Sequence, residues 1–299
     1  MDVSVVLTTY NGKKYIKELL DSLRLQTKPI DELLVCDDGS TDGTPEIIQK
    51  YIEKYQLSWK VQINTINKGW KQNFRDGILQ VNGDFVFPCD QDDIWEHDKV
   101  EKMFDKMSKC NDILLLSSDY APLYENGGKT VEEFEENSSL LEKVKFDSHF
   151  ATGNRPGCVM AIRRELLEKI RVLWQDWYPH DAFLWTCATF YEGCYIFHEP
   201  LIRYRRHAAN TTNHVTRDKA AVVLSLKRNV ILTNWFIKHT ESNQKEKLNI
   251  IINFNKFLEL RLLLLENKKL TCFFKLFKYR NFYRSIKQEF GDLYLMMKK

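Results

Sequence analysis

The segment Gly83–Trp95, GDFVFPCDQDDIW, decides how this chain is read. Its apolar run Phe85-Val86-Phe87 is followed by three carboxylates, Asp90, Asp92 and Asp93. A short buried strand that ends in clustered acids places negative charge at the carboxyl edge of a sheet, where open α/β sheets bind ligands. Three carboxylates so close repel one another, and a cation relieves the repulsion. An all-oxygen donor set favours Mg²⁺, Mn²⁺ or Ca²⁺ over zinc. A site with one or two carboxylates leaves substrate phosphate to complete the shell. Taken alone, the same cluster also reads as a solvated turn, with Asp93 capping the next helix.

Outward from this segment the same rhythm repeats. Val3–Leu7 is a β-branched apolar run closed by Thr8, Thr9, Tyr10, Asn11 and Gly12. Tyr15, Ile16, Leu19, Leu20 and Leu23 follow at helical spacing. Leu33–Cys36 is a second run, closed by DDGSTDGTPE. There Thr44 is the expected N-cap and Pro45 the first residue of a helix over 45–55. Trp59–Ile66 alternates as a third strand. Asn67-Lys68-Gly69 then turns into a helix expected to face Trp70, Phe74, Ile78 and Leu79 inward. Beyond the acids, 98–107 reads as a helix and 112–118 as a strand. Strands alternating with helices predict an α/β fold with a mostly parallel sheet. The GxGxxG of dinucleotide-binding sheets is absent after the first strand, and TTYNG stands in its place.

The bulk numbers set the frame. The chain has 299 residues, 43% hydrophobic and 28% charged, which fits one large globular domain or a domain with an appendage and excludes a disordered chain. A net charge of +3 hides an asymmetry: 220–299 carries 16 Lys+Arg against 6 Asp+Glu, the remainder 28 against 35. An acidic front and a basic tail predict two differently employed parts. The seven cysteines are scattered without a CxxC, which predicts a reducing compartment and no structural zinc. No leader and no apolar stretch of about 18 residues is recognised, so no membrane span is expected.

Seven pieces carry a resemblance: VSVVLTTYNG (3–12), LLVCDDGSTDGT (33–44), INKGW (66–70), GDFVFPCDQDDIW (83–95), TGNRPGCVMAIRREL (152–166), HDAFLW (180–185) and PLIRYRRH (200–207). Each alone is weak. In this order and spacing, over about 1–215, they resemble glycosyltransferase family 2. DQDDIW with the later HD and YRRH is most similar to bacterial rhamnosyltransferases that build surface polysaccharide. The resemblance implies the A-type glycosyltransferase fold, Rossmann-like, with a C-terminal helical appendage. It implies an inverting, metal-dependent transfer from a nucleotide-diphosphate sugar, dTDP-rhamnose or a UDP-hexose, to a glycan or lipid-linked acceptor. Mn²⁺ or Mg²⁺ is the implied cofactor.

Residue by residue, the resemblance places Thr8, Thr9, Tyr10, Asp38, Asn67, Lys71, Asp90, Arg205 and Arg206 at the donor. It places Asp92, Asp90 and His207 on the metal, and Arg155, His180 and Trp185 on the acceptor side. Asp181 matches the catalytic base. The chemistry suits the residue types. A carboxylate such as Asp38 accepts from the N3–H of uracil or thymine, although Asp in a tight loop also bonds turn amides. Guanidinium groups suit a diphosphate, and an imidazole can fill a metal position. An acceptor hydroxyl needs a group to take its proton; Asp181 lies among Trp177, Tyr178, Phe183 and Trp185, with His180 as runner-up and a helix N-cap as its other reading. Family members often show ED where this chain has HD, which leaves His180 open.

The expected domains are 1–218, catalytic, and 219–299, basic and helical. Residues 131–142 are acid-rich and read as exposed. In 268–287, Phe273, Phe274, Phe277, Phe282 and Tyr283 interleave with Lys and Arg. That pattern reads as a membrane-surface element for anionic lipid or as a packed helix with a solvated basic face. The expected location is the cytoplasm, peripheral to the inner face of the membrane. The basic tail has no accompanying nucleic-acid module, so no nucleic-acid partner is expected. Two other classes share the features. A sugar-phosphate nucleotidyltransferase would show a glycine-rich basic loop after the first strand, where TTYNGKK offers one glycine. A non-catalytic sugar- or lipid-binding scaffold has no need of both Asp92 and Asp181.

Overall fold

The computed structural model describes residues 1–124, 140–153, 155–206 and 218–297. His207 and most of the acid-rich stretch lie outside them. The chain forms two compact units, Met1–Lys145 with Thr152–Ala209, and Phe146–Ala151 with Asn210–Lys299.

The first unit is a mixed α/β sandwich. Its chain order is β1 (Val3–Thr9), α1 (Ile16–Arg24), β2 (Glu32–Asp37), α2 (Thr44–Tyr55), β3 (Lys60–Ile63), α3 (Trp70–Gln80), β4 (Phe85–Asp90), β5 (Ile94–Trp95), α4 (Lys99–Lys109), β6 (Leu115–Tyr124), β7 (Leu141–Lys143), β8 (Met160–Arg163), α5 (Arg164–Ile170), α6 (His180–Phe190) and β9 (Cys194–Arg206). Among the described residues the sheet has nine strands and runs β3-β2-β1-β4-β8-β6-β9-β5, with β7 beside β9. β1 lies between β2 and β4, parallel to both. All seven of its residues are buried, as a central parallel strand covered on both faces requires. β8 runs antiparallel between β4 and β6. The amphipathic spacing on α1 buries Ile16, Leu19, Leu20 and Leu23 in the core under the sheet.

Several local expectations change. The third strand contracts to Lys60–Ile63. Thr44 begins α2 rather than capping it: the N-cap is Gly43, left-handed at φ 93°, and the Thr44 hydroxyl donates to Asp42. On α3 the inner face is Asn73, Phe74, Gly77 and Ile78, and Trp70 is exposed. Gly77 is needed there, because a Cβ would strike Val6 and Cys36.

The second unit is helical: α7 (Lys219–His239), α8 (Lys245–Asn267), α9 (Leu270–Leu276) and α10 (Ile286–Met297), with a 3₁₀ segment Phe277–Phe282 between the last two. Phe150 joins it because its ring packs against Phe236 and Phe254. By length and composition alone α7 would suffice to cross a membrane. In the structure α7 pairs with α8, where Thr233 Oγ1 donates to the buried Asn255.

Candidate active site

Three strand ends assemble one edge. Thr8 stands opposite Asp90 on one side and Cys36 on the other, and Thr9 opposite Asp37. Thr8 and Thr9 are buried. Thr9 Oγ1 donates to Asp37 Oδ2 at 2.6 Å, and Ser40 donates its amide and hydroxyl to the same carboxylate. Asp37, unassigned from sequence, is therefore the clamp of this turn. Tyr10 is exposed, and its backbone is held on both sides by Gln91: Tyr10 N donates to Oε1 at 2.8 Å and Gln91 Nε2 donates to Tyr10 O at 3.0 Å. A Cβ at Gly12 would strike that Gln91 side chain. Gln91, the unassigned second residue of DQDD, thus ties the first loop to the acids.

Asp38 is buried and engaged. Its Oδ1 accepts from Lys68 N at 2.8 Å and Asn64 Nδ2 at 3.0 Å, and its Oδ2 from Gly69 N at 2.8 Å. The turn-bonding reading is realised, and any base would share an occupied carboxylate. Asn67 is exposed and its Oδ1 accepts from the same Gly69 N, whose φ of +83° suits glycine. This turn opens a cleft of about 400 Å³ lined by Lys68, Trp70, Lys71, Gln72, Asp176 and Trp177. Lys71 lies 5.5 Å from the Trp70 ring.

The acids are not equivalent. Asp93 does not cap the next helix, whose N-cap is Asp98. It is 1% exposed; its Oδ1 accepts from Arg205 N at 3.0 Å, and its Oδ2 is buried without a donor. Burial, and then the Asp92 charge, push Asp93 up to about 7. Burial, Asp93 and Asp92 raise Asp90 well above the carboxylate range, and Asp181 pushes the same way. Asp92 and Asp181 thus both disfavour the charged form of Asp90. Asp90, Asp93 and Cys158 bring ligand atoms within 4.8 Å of one another. Burial pushes the Cys158 thiol up, and hard divalent cations prefer the carboxylate oxygens of this cluster. Asp90 is the residue common to this spatial set and the Asp90/Asp92 pair read from sequence. Behind the acids lies buried Lys99, whose Nζ donates to Cys158 O at 2.7 Å and sits 3.4 Å over the Trp95 ring. Desolvation lowers its pKa to about 7.

The two arginines face different partners. The Arg205 guanidinium donates through Nε to Asp92 O at 2.7 Å and pairs with Glu18 at 2.5 Å, so it braces the acidic loop. Arg206 lies over the Tyr204 ring at 4.6 Å.

Asp181 occupies the first turn of α6, whose N-cap is Pro179; its Oδ1 accepts from Ala182 N at 2.7 Å. His180 is buried, its ring stacked on Phe74 at 4.0 Å and edge-on to Trp70, and neither ring nitrogen has a partner. Desolvation lowers its pKa to about 4. An imidazole held there is a weak proton acceptor, which disfavours it as the base. Trp185 is 2% exposed and packs as core against Gly153. Arg155 donates to Asp119 at 2.6 Å, and Asp119 also meets His198 at 3.2 Å.

Comparison with known proteins fits this geometry. The model of the family "Glycosyl transferase family 2" matches residues 4–171. The dTDP-rhamnosyl transferase RfbG of Shigella flexneri is 32% identical over 221 residues, 68% of this chain and 72% of that one. An uncharacterized glycosyltransferase of Nostoc is 27% identical over 248 residues, 79% of this chain and 74% of that one. Among solved structures, S. aureus TarS 1-349 in complex with UDP-GlcNAc superposes with a TM-score of 0.63 at 19% identity, covering 94% of this chain and 89% of that one. The mannosyltransferase PcManGT of Pyrobaculum calidifontis, in complex with GDP-Man and Mn²⁺, superposes at 0.54 with 18% identity, over 98% and 78%. The fold is therefore the A-type glycosyltransferase fold anticipated from the motifs, and the chain belongs to glycosyl transferase family 2.

Proposed function

We propose that this chain is an inverting, metal-dependent glycosyltransferase that moves a sugar, rhamnose from dTDP-rhamnose first among the candidates, onto a glycan or lipid-linked acceptor during surface polysaccharide synthesis. UDP-hexose is the second donor class. The supporting observation is that the charges of Asp93, Asp92 and Asp181 all raise Asp90, which stands opposite Thr8 at the carboxyl edge of β1 and β4. Rhamnose is favoured by the 32% identity to a dTDP-rhamnosyl transferase.

The acid cluster fits a divalent cation. It holds mutually repelling carboxylates and a buried carboxylate oxygen without a donor. Asp90 with Asp92 or Asp93 would hold Mn²⁺ or Mg²⁺, which supplies positive charge against the diphosphate leaving group. Thr8, Thr9 and Tyr10 line the nucleotide side, and the Asp38-locked turn with Asn67 and Lys71 borders it. Arg206, over the Tyr204 ring, is the arginine proposed to meet phosphate; Arg205 holds the loop. Asp181 takes the acceptor hydroxyl proton as that oxygen bonds to the anomeric carbon and the bond from that carbon to the diphosphate oxygen breaks, which inverts the centre. In the 400 Å³ cleft, Trp70 and Trp177 offer ring faces and the lysines offer cations to a sugar or phosphate of the acceptor. His207 stays a proposed third metal ligand, outside the described residues. The proposed location is cytoplasmic, at the inner face of the membrane.

The deciding experiment offers the purified chain a panel of nucleotide sugars with Mn²⁺ or Mg²⁺. Release of free nucleoside diphosphate supports the reading. Release of pyrophosphate from a sugar phosphate and a nucleoside triphosphate, or no turnover of any donor, rejects it.

A further inference from the structure

The last thirty described residues sort their side chains in an unusual way. Between 268 and 297 the acids are Glu289 and Asp292, and both are buried. Asp292 accepts from Arg261 at 2.6 and 3.0 Å and from the Tyr283 hydroxyl at 3.1 Å. Glu289 accepts from Arg280 at 2.9 Å. Every exposed charge of this stretch is thus positive: Lys268, Lys269, Lys275, Lys278, Arg280, Arg284 and Lys287.

The apolar residues divide differently from the sequence expectation. Phe273, Phe282 and Tyr283 turn inward, with Phe282 and Tyr283 against Phe257. A second set turns outward. On α10, Ile286, Phe290, Tyr294 and Met297 fall at spacings of 4, 4 and 3, one helical stripe, and on the preceding segment Leu270, Phe274 and Phe277 do the same. All seven are between 41% and 67% exposed. The stripes adjoin, since the Phe273 ring beside Phe274 lies 6.4 Å from Phe290. Next to them opens a groove of about 470 Å³, with Leu260, Leu263 and Phe274 apolar, Lys256 and Lys278 among its cations, and the exposed Glu259 as its acid.

An apolar stripe of this length, rimmed by cations and within 268–297 cleared of exposed acids, matches an anionic lipid surface in both hydrophobicity and charge. We infer that α9, the 3₁₀ segment and α10 form an interfacial docking surface for a bilayer carrying anionic phospholipid, with Phe274, Phe290 and Tyr294 entering the headgroup layer and the lysines meeting phosphates. This surface stands on exposure and charge alone and does not need the sugar-transfer reading.

The test is co-sedimentation of the full chain with vesicles of phosphatidylcholine and with vesicles containing about 30 mol% phosphatidylglycerol. The chain binds the anionic vesicles, binds the neutral ones at least about tenfold more weakly, and is released by added NaCl. The variants F290S/Y294S and K275E/K278E each weaken binding about tenfold or more while circular dichroism shows them folded. Equal binding to both vesicle types, no binding to either, or unchanged binding by both variants overturns the inference. So does an oligomer in lipid-free buffer that F290S/Y294S dissociates, because the surface is then covered by a second copy. Donor turnover without vesicles is the same in wild type and variants, so a failure of the transferase reading is seen separately.

Discussion

The backbone N–H of Arg205 donates to Asp93 Oδ1 across 3.0 Å, joining positions 112 residues apart. With the Arg205 Nε bond to the Asp92 carbonyl, it makes β9 the back wall of the acidic loop. The acids are held close because a distant strand fixes their backbone.

Asp181→Asn keeps the bond from Ala182 N but removes the proton acceptor. Sugar transfer falls roughly 10²- to 10⁴-fold, with donor affinity little changed. Steady-state transfer assays read the first quantity and titration of donor binding the second. Transfer at the wild-type rate removes Asp181 from the mechanism.

Chelation abolishes donor turnover, and Mn²⁺ or Mg²⁺ restores it. Asp90→Asn raises the metal concentration for half-activation by about tenfold or more. Asp92→Asn and Asp93→Asn separate the sequence-derived pair from the spatial cluster: the larger shift marks the partner of Asp90. Metal titrations of the three variants check this, and activity indifferent to EDTA would refute the metal.

His180 makes acid stability steep. Its pKa is about 4 when folded against 6.5 ordinarily, lowered by burial and partly restored by Asp181. Between those values the unfolded chain binds the extra proton, so stability is fully present above pH 6.5 and falls as pH drops toward 4. The loss approaches about 3 kcal/mol. His180→Asn flattens this slope relative to wild type, whatever its cost at neutral pH. Thermal melts from pH 4 to 7 provide the comparison.

Gly157→Ala drives a Cβ into the His180 ring. Overpacking of this kind costs about 1–3 kcal/mol. In the His180→Ala background the same substitution costs less than in wild type, a coupling that denaturant titrations resolve.

Breaking the Arg261–Asp292 pair leaves a buried charge. Asp292→Ala destabilises the helical unit by about 3–5 kcal/mol, seen as faster hydrogen exchange across α8 and α10. Replacing both partners with apolar residues costs much less.

The parallel core was legible because its strands bury both faces and so appear as unbroken apolar runs, as in Val3–Leu7 and Phe85–Phe87. The edge was legible because polar loops must follow such runs. Local geometry was less so. Thr44 has a capping side chain but sits one residue inside α2, since Gly43 alone takes the left-handed cap comfortably. Trp70 matches the helical period of α3 yet is exposed, because period alone does not say where a helix ends its burial.

By itself the sequence determined the alternating α/β order, the family and which acids and loops share an edge, since these depend on periodicity and on motifs close along the chain. Only the tertiary structure decided that Asp93 is buried beside Cys158, that Arg205 is a brace, that Gln91 clamps Tyr10, and that the outward stripe of the tail runs on through α10. Each of these depends on which side chain is desolvated against a partner far away in sequence, and desolvation is a property of packing, not of spacing.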